Sequence, residues 1–439
     1  MLLRRCTLKF IKIFICILLV VILFTGCTFR ISSSIDDLIS PISPFGDNAD
    51  VKEALDRYAA SGYSLKMPNY GKNISSYNFY DIDGDGNDEA VAFYEPSDKL
   101  GTINLALIKK TDKEWKVVSN IVGSGKDIHS LDFAELNGDK TKELIVCWDA
   151  ISNSTSHEMD VYGFNAKKQE LKLLDGEKTV NSYFITDMFD DGNSELLLFQ
   201  LNTNSANSPI AQLYSFTKNK FYLLGDTKLD SRISSISSIK EETVDGEVRI
   251  YADAVSSDNS VMVTELIFWS DEYNSIVSQF YSYSSRTTSE TERRALVCSM
   301  DIDNNKSLEI PVDYKLKKLP KEVSSVEFMD YKNRLLVHNS YALCAEKDKY
   351  IFVVPDEYID SISVKYLKQT REMVIYNKTD DKLVLSIKPV LKATYREADY
   401  PDWFIVHEAS GYYYLAKNGN DSNIKLTKQE ISDYINSFA

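Results

Sequence analysis

Asp81, Asp83 and Asp85 set carboxylates at alternate positions in the run D-I-D-G-D-G-N-D-E, and Glu89 stands at its ninth position. Carboxylates this close repel one another unless a cation holds them. Calcium accepts six to eight oxygens at about 2.3–2.6 Å with loose geometry, and the carbonyl of Asn87 would complete such a set. Gly84 and Gly86 permit the tight turn this needs. An EF-hand is excluded, because its twelfth position is Ala92 and the flanks are strand-like. A metal-free Asp/Gly turn is the competing reading, since these residues also favour turns conformationally.

The pattern recurs. Residues 135–143 read E-L-N-G-D-K-T-K-E, with Glu135, Asn137, Asp139 and Glu143 as donors. Residues 187–195 read D-M-F-D-D-G-N-S-E, where Phe189 replaces the second carboxylate and a site would need Asp190. Residues 301–309 read D-I-D-N-N-K-S-L-E, offering Asp301, Asp303, Asn305 and Glu309, with Lys306 in a glycine's place. The starts are offset by 54, 52 and 114 residues, and residues 239–247 in the long gap keep the closing glutamate without the acids. A period in the fifties means one supersecondary unit repeated. Each unit holds about four strand-like runs; in the second these are residues 128–134, 143–148, 159–164 and 170–174. The run after each loop is apolar on consecutive residues, as expected of a strand covered on both faces. The expected fold is therefore mainly β: a β-propeller of about five visible four-stranded blades over residues 51–345.

After residue 345 the period stops. Six further strand-like runs and a capping box at Thr427 and Glu430, ahead of Ile431, Tyr434, Ile435 and Phe438, predict a small α+β domain at 346–439 with a C-terminal helix. A short helix is expected over residues 50–58.

The acidic loops resemble the FG-GAP/VCBS repeats of integrin-type propellers. The mature chain, over most of residues 45–439, is similar to FG-GAP-containing lipoproteins of low-GC Gram-positive bacteria. That resemblance implies calcium at Asp81, Asp83, Asp85, Asn87 and Glu89, and at the second and fourth loops. It is nearly silent on function, because such propellers serve adhesion, scaffolding and enzymes alike.

Arg4, Arg5, Lys9 and Lys12 precede an uncharged apolar run at 13–24 and then Thr25-Gly26-Cys27. That order reads as a signal peptide over residues 1–26. It resembles the bacterial lipoprotein signal with Cys27 diacylated, although Phe24 stands where that family has Leu. The alternative is an uncleaved anchor, and both place residues 28 onward outside the cytoplasm. Residues 27–50 read as a tether. Losing the signal takes the formal charge from −15 to −19, which excludes nucleic-acid binding and demands a lipid for membrane attachment. Cys147, Cys298 and Cys344 remain, an odd count without close spacing, and read as buried thiols.

No catalytic constellation emerges. His129, His157, His338 and His407 are scattered without zinc spacing and read as surface or strand residues. Gly123-Ser124-Gly125-Lys126 lacks the spacing of a phosphate loop, and Ser410 lacks the first glycine of a nucleophile elbow. Trp115, Trp148, Trp269 and Trp403 read as blade packing. The expectation is a non-enzymatic binding, adhesion or scaffolding lipoprotein whose partner is a protein or glycan at the cell envelope. The alternatives are a cell-surface hydrolase acting on polysaccharide and an accessory subunit of an envelope complex.

Overall fold

The computed structural model describes residues 47–151, 155–201, 208–409, 411–419 and 421–438. The expected signal, Cys27 and most of the tether lie outside these residues. The chain divides after Lys52, and residues 53–439 form one compact unit. The helix Asp47–Tyr58 starts earlier than its apolar face suggested and takes residues 47–50 from the expected tether. Among the described residues, no helix is long and apolar enough to cross a membrane.

Among the described residues, the large unit is mainly β, built from six antiparallel sheets of four or five strands taken in chain order. The second sheet shows the plan: Asp127–Ala134, Glu143–Asp149, His157–Asn165 and Glu170–Val180 form a simple meander. In the first sheet the opening strand is split. Tyr63–Lys66 and Asn78–Tyr80 pair with successive parts of Glu89–Pro96. The fourth sheet departs at its first turn. Strands Ile233–Val244 and Glu247–Ser256 meet in a two-residue hairpin at Asp245 and Gly246, both at positive φ, so no acidic loop exists there.

Successive sheets pack through alternate faces of their inner strands. Leu144, Val146 and Trp148 join Phe93 and Leu105 of the first sheet, while Ile145 and Cys147 join Leu196 and Leu198 of the third. Leu197 and Phe199 then meet Ile250 and Ala252 of the fourth sheet. Consecutive apolar residues are thus buried against two neighbours, which is why these strands do not alternate with polar residues.

The expected domain boundary at 345/346 falls inside a sheet. Tyr350–Val354 pairs with Leu335–Ala345 on one side and Ile435–Ser437 on the other. Apolar residues on both sides of the boundary, Leu343 with Tyr350 and Phe352, bury themselves in the same core as Met373 and Leu385 of the sixth sheet. The capping box at Thr427 and Glu430 is present, but the helix Lys428–Asp433 is short, and Ile435 joins a strand instead of continuing the helical stripe. Cys147 and Cys344 are buried free thiols, and Cys298 is half-buried.

Candidate functional site

Each acidic loop is pinned by its closing glutamate in the same way. One carboxylate oxygen accepts the backbone N–H seven residues earlier: Ile82 to Glu89 at 3.0 Å, Leu136 to Glu143 at 2.9 Å, Met188 to Glu195 at 3.0 Å and Ile302 to Glu309 at 2.8 Å. The first acid of each loop caps backbone amides. Asp81 accepts from Asp85 and Gly86, Asp187 from Asp191 and Gly192, and Asp301 from Asn305 and Lys306. Glu135 accepts from Lys140 in the second loop. The first three loops also touch: Lys142 N–H donates to the Ile82 carbonyl and Ser194 N–H to the Glu135 carbonyl. A β-carbon on Gly84 would come within 3.2 Å of the Lys140 carbonyl, so glycine there serves the approach of loop two as well as its own positive φ.

The loops differ at the position that faces the glutamate from the next strand. One residue beyond the Ala90↔Ile108 pair, that position is Lys109 in the first sheet. By the same register it is Gly163 in the second, Ser215 in the third and Asp330 in the fifth.

In loop one, Lys109 Nζ lies 2.6 Å from Asp83, 2.9 Å from Asp85 and 2.7 Å from Glu89. Burial would lower the ammonium's pKa, but its hydrogen bonds to these carboxylates raise it above the ordinary value. Asp85, bonded to Lys109 and Asn87, is lowered to about 2. Asp83 Oδ1 is the loop's buried oxygen without a hydrogen-bond partner. Although Asp81, Asp83 and Asp85 come together, the centre expected to hold calcium is filled by the chain's own cation. A cation in loop one would have to displace the Lys109 ammonium.

In loop two, Asn137 Nδ2 donates to Glu143 at 2.6 Å, and Asp139 turns to the Thr141 amide and hydroxyl. Phe189 in loop three packs edge-on against Trp269. Neither loop gathers three ligand atoms.

Loop four does. Asp301, Asp303 and Glu309 bring ligand atoms within 4.8 Å of one another. Glu309 is fully buried, and its Oε1 has no hydrogen-bond partner. Burial, with Asp303, Asp330 and Asp301 nearby, pushes its carboxyl up to about 8. Asn339 donates to Asp303 at 3.1 Å and steadies it. A hard cation with oxygen ligands fits this loop, because it would satisfy the orphaned oxygen and offset the crowded charge.

Two further features were not visible in the sequence. A cleft of about 610 Å³ lies where the third and fourth sheets adjoin, between Thr227 and Phe268, with Arg334 stacked 4.2 Å over the Phe268 ring. Tyr273 and Tyr283 stand at it 68 % and 78 % exposed, and Tyr281 packs edge-on against Tyr283. The tryptophans are less exposed, with Trp115 and Trp148 buried as expected. The second feature is a pair of histidines. His129 and His157, read as scattered, stack with ring centroids 3.5 Å apart.

No family model and no curated protein matches the chain. Similar solved structures include Saccharomyces cerevisiae Sqt1, at 9 % identity and TM-score 0.34, covering 80 % of this chain and 86 % of that one. The rhamnogalacturonan lyase YesW matches at 15 % identity and TM-score 0.31, covering 73 % and 56 %. The Bacillus licheniformis rhamnogalacturonan lyase PL11 matches at 13 % identity and TM-score 0.29, covering 73 % and 71 %.

Proposed function

We propose that this chain is a lipid-anchored, extracytoplasmic binding module of the FG-GAP/VCBS propeller type, which holds an envelope glycan at its tyrosine cleft and calcium in its fourth acidic loop. The observation that carries the binding role is the pair of exposed tyrosines at the mouth of a cleft of about 610 Å³. A phenol ring offers an apolar face to a sugar ring and a hydroxyl to its edge, at low entropic cost. The propeller reading is supported by meandering sheets that pack in chain order and by acidic loops that stand side by side. The basic, apolar, small-residue N-terminus ending at Cys27 supports anchoring.

Full-length protein in detergent, titrated with purified cell-wall polysaccharide, should bind saturably and release no products. Replacing Tyr273 and Tyr283 together by alanine should weaken binding about tenfold, from roughly 0.5–1.5 kcal/mol per ring. Product release would instead establish a hydrolase. Unchanged binding in the double variant would remove the cleft from the account.

A further inference from the structure

The tyrosine cleft owes its floor to a close approach of the last strands of the third and fourth sheets, Lys220–Lys228 and Ser275–Ser278. A β-carbon on Gly225 would stand 2.3 Å from Ser275 Oγ and 2.8 Å from Ser275 Cα, so only glycine lets the two strands meet there. Ser275 Oγ accepts from the Asp226 amide at 3.0 Å and donates to the Asp226 carbonyl at 3.1 Å, while Thr227 Oγ1 accepts from the Ser278 amide at 3.1 Å. These bonds stitch one sheet edge to the other, so the floor is in place before a ligand arrives. Among the described residues, three charged side chains line the cleft: Asp226, Glu272 and Arg334. Arg334 is already matched, 2.5 Å from Glu247, donating to the Tyr331 hydroxyl and stacked on Phe268. Asp226 and Glu272 are exposed, and neither carboxylate accepts a hydrogen bond or pairs with a cation among the described residues.

We infer that the cleft selects amine-bearing sugars, units of a protonated amino-sugar polymer, over N-acetylated, neutral or acidic ones. The inference rests on the glycan reading given above and narrows it to one chemical class. The unmatched charge in the cleft is negative, and the exposed rings of Tyr273 and Tyr283 add to it, because the face of an aromatic ring carries the negative end of its quadrupole. Carboxylates beside open aromatic faces are what an ammonium group is drawn to. A neutral sugar would stack on the same rings without using the acids. A uronate or a phosphate would meet Asp226 and Glu272, and the arginine that might have answered it is held by Glu247. Discrimination therefore comes from repulsion of the acidic polymer as well as attraction of the basic one. The formal charge of the whole chain, −15, acts in the same direction at longer range.

The test is calorimetric titration of full-length protein in detergent with glucosamine, N-acetylglucosamine and galacturonate oligomers of equal length, at a pH below the pKa of the amine. The glucosamine oligomer should bind about tenfold more tightly than the N-acetylated one, with the galacturonate oligomer weakest, and its advantage should shrink as salt is raised. Asp226→Asn combined with Glu272→Gln should bring the glucosamine oligomer down to the affinity of the N-acetylated one. Both positions are exposed, and an unchanged melting temperature checks that the variant is folded. Spermidine, which carries the charge without the sugar ring, should compete poorly. Equal affinity for the glucosamine and N-acetylglucosamine oligomers in the wild type would overturn the selection while leaving the glycan reading standing. A preference that survives in the folded double variant, or displacement by spermidine as effective as by the glucosamine oligomer, would overturn it too. Binding of none of the three oligomers would take the glycan reading down with it.

Discussion

Lys109 does inside loop one what a dissolved cation does in a loop of free carboxylates. Its ammonium faces three acids, so Lys109→Met should leave Asp83, Asp85 and Glu89 without compensation. Equilibrium dialysis should then find one more calcium bound per chain than in the wild type. An unchanged stoichiometry would show that the loop cannot take the ion under any circumstance. The closing glutamates make a second prediction. Burial raises Glu309 to about 8 and Glu143 and Glu195 to about 7, so the fold retains protons that the unfolded chain releases near 4.5. Between those limits the unfolded state binds fewer protons, and stability falls as pH rises. The melting temperature of metal-free protein should therefore decline from about pH 5 to about pH 8. Saturating calcium should flatten that decline by favouring ionised Glu309, and a metal-free rise over the interval would contradict it. The acids themselves were legible, because their spacing is local. Their fates were not, because the deciding residue lies a strand away: Lys109, Gly163 and Ser215 each follow their glutamate by 20 residues. Comparing the repeats at that offset would have exposed the lysine. His129 and His157 carry no such signal, since a register slip brings them together.

At the scale of the element, strands were the most readable feature. All four runs of the second unit exist, and consecutive apolar residues foretold burial on both faces. The fourth sheet was less readable, because a two-residue hairpin replaces its acidic loop and a buried polar cluster ties its inner strands to the segment that follows. Arg293, fully buried, donates to Asp253 at 2.6 Å, to the Thr264 hydroxyl and to the Val297 carbonyl. Asp253 also accepts from Ser299. Asp253→Ala strands the guanidinium and should cost about 3–5 kcal/mol in denaturant unfolding. A loss below about 1 kcal/mol would mean that water replaces the carboxylate. Nothing in the residues around Arg293 marks it as buried, since a lone arginine between polar residues reads as surface.

For the whole molecule, the repeat predicted the number of early sheets but misplaced the later division, because pairing across residue 346 leaves no trace in local composition. If calcium occupies loop four, chelation should lower the melting temperature, by about 2.7 kcal/mol of stabilisation lost from a hundredfold excess over Kd. An identical melt with and without chelator would remove calcium from the structure. The pairing of Ile435–Ser437 with Tyr350–Val354 has a consequence for how the protein is made. Asn436 also donates to the carbonyl of Ile302, within the fourth loop. A chain emerging from the ribosome or translocon can finish its first four sheets by neighbour-to-neighbour zipping, but the fifth must wait, its edge unpaired, until residue 437 is free. That long-range step should be the slowest in assembly, and the interval in which the nascent protein is most open to proteolysis or mispairing.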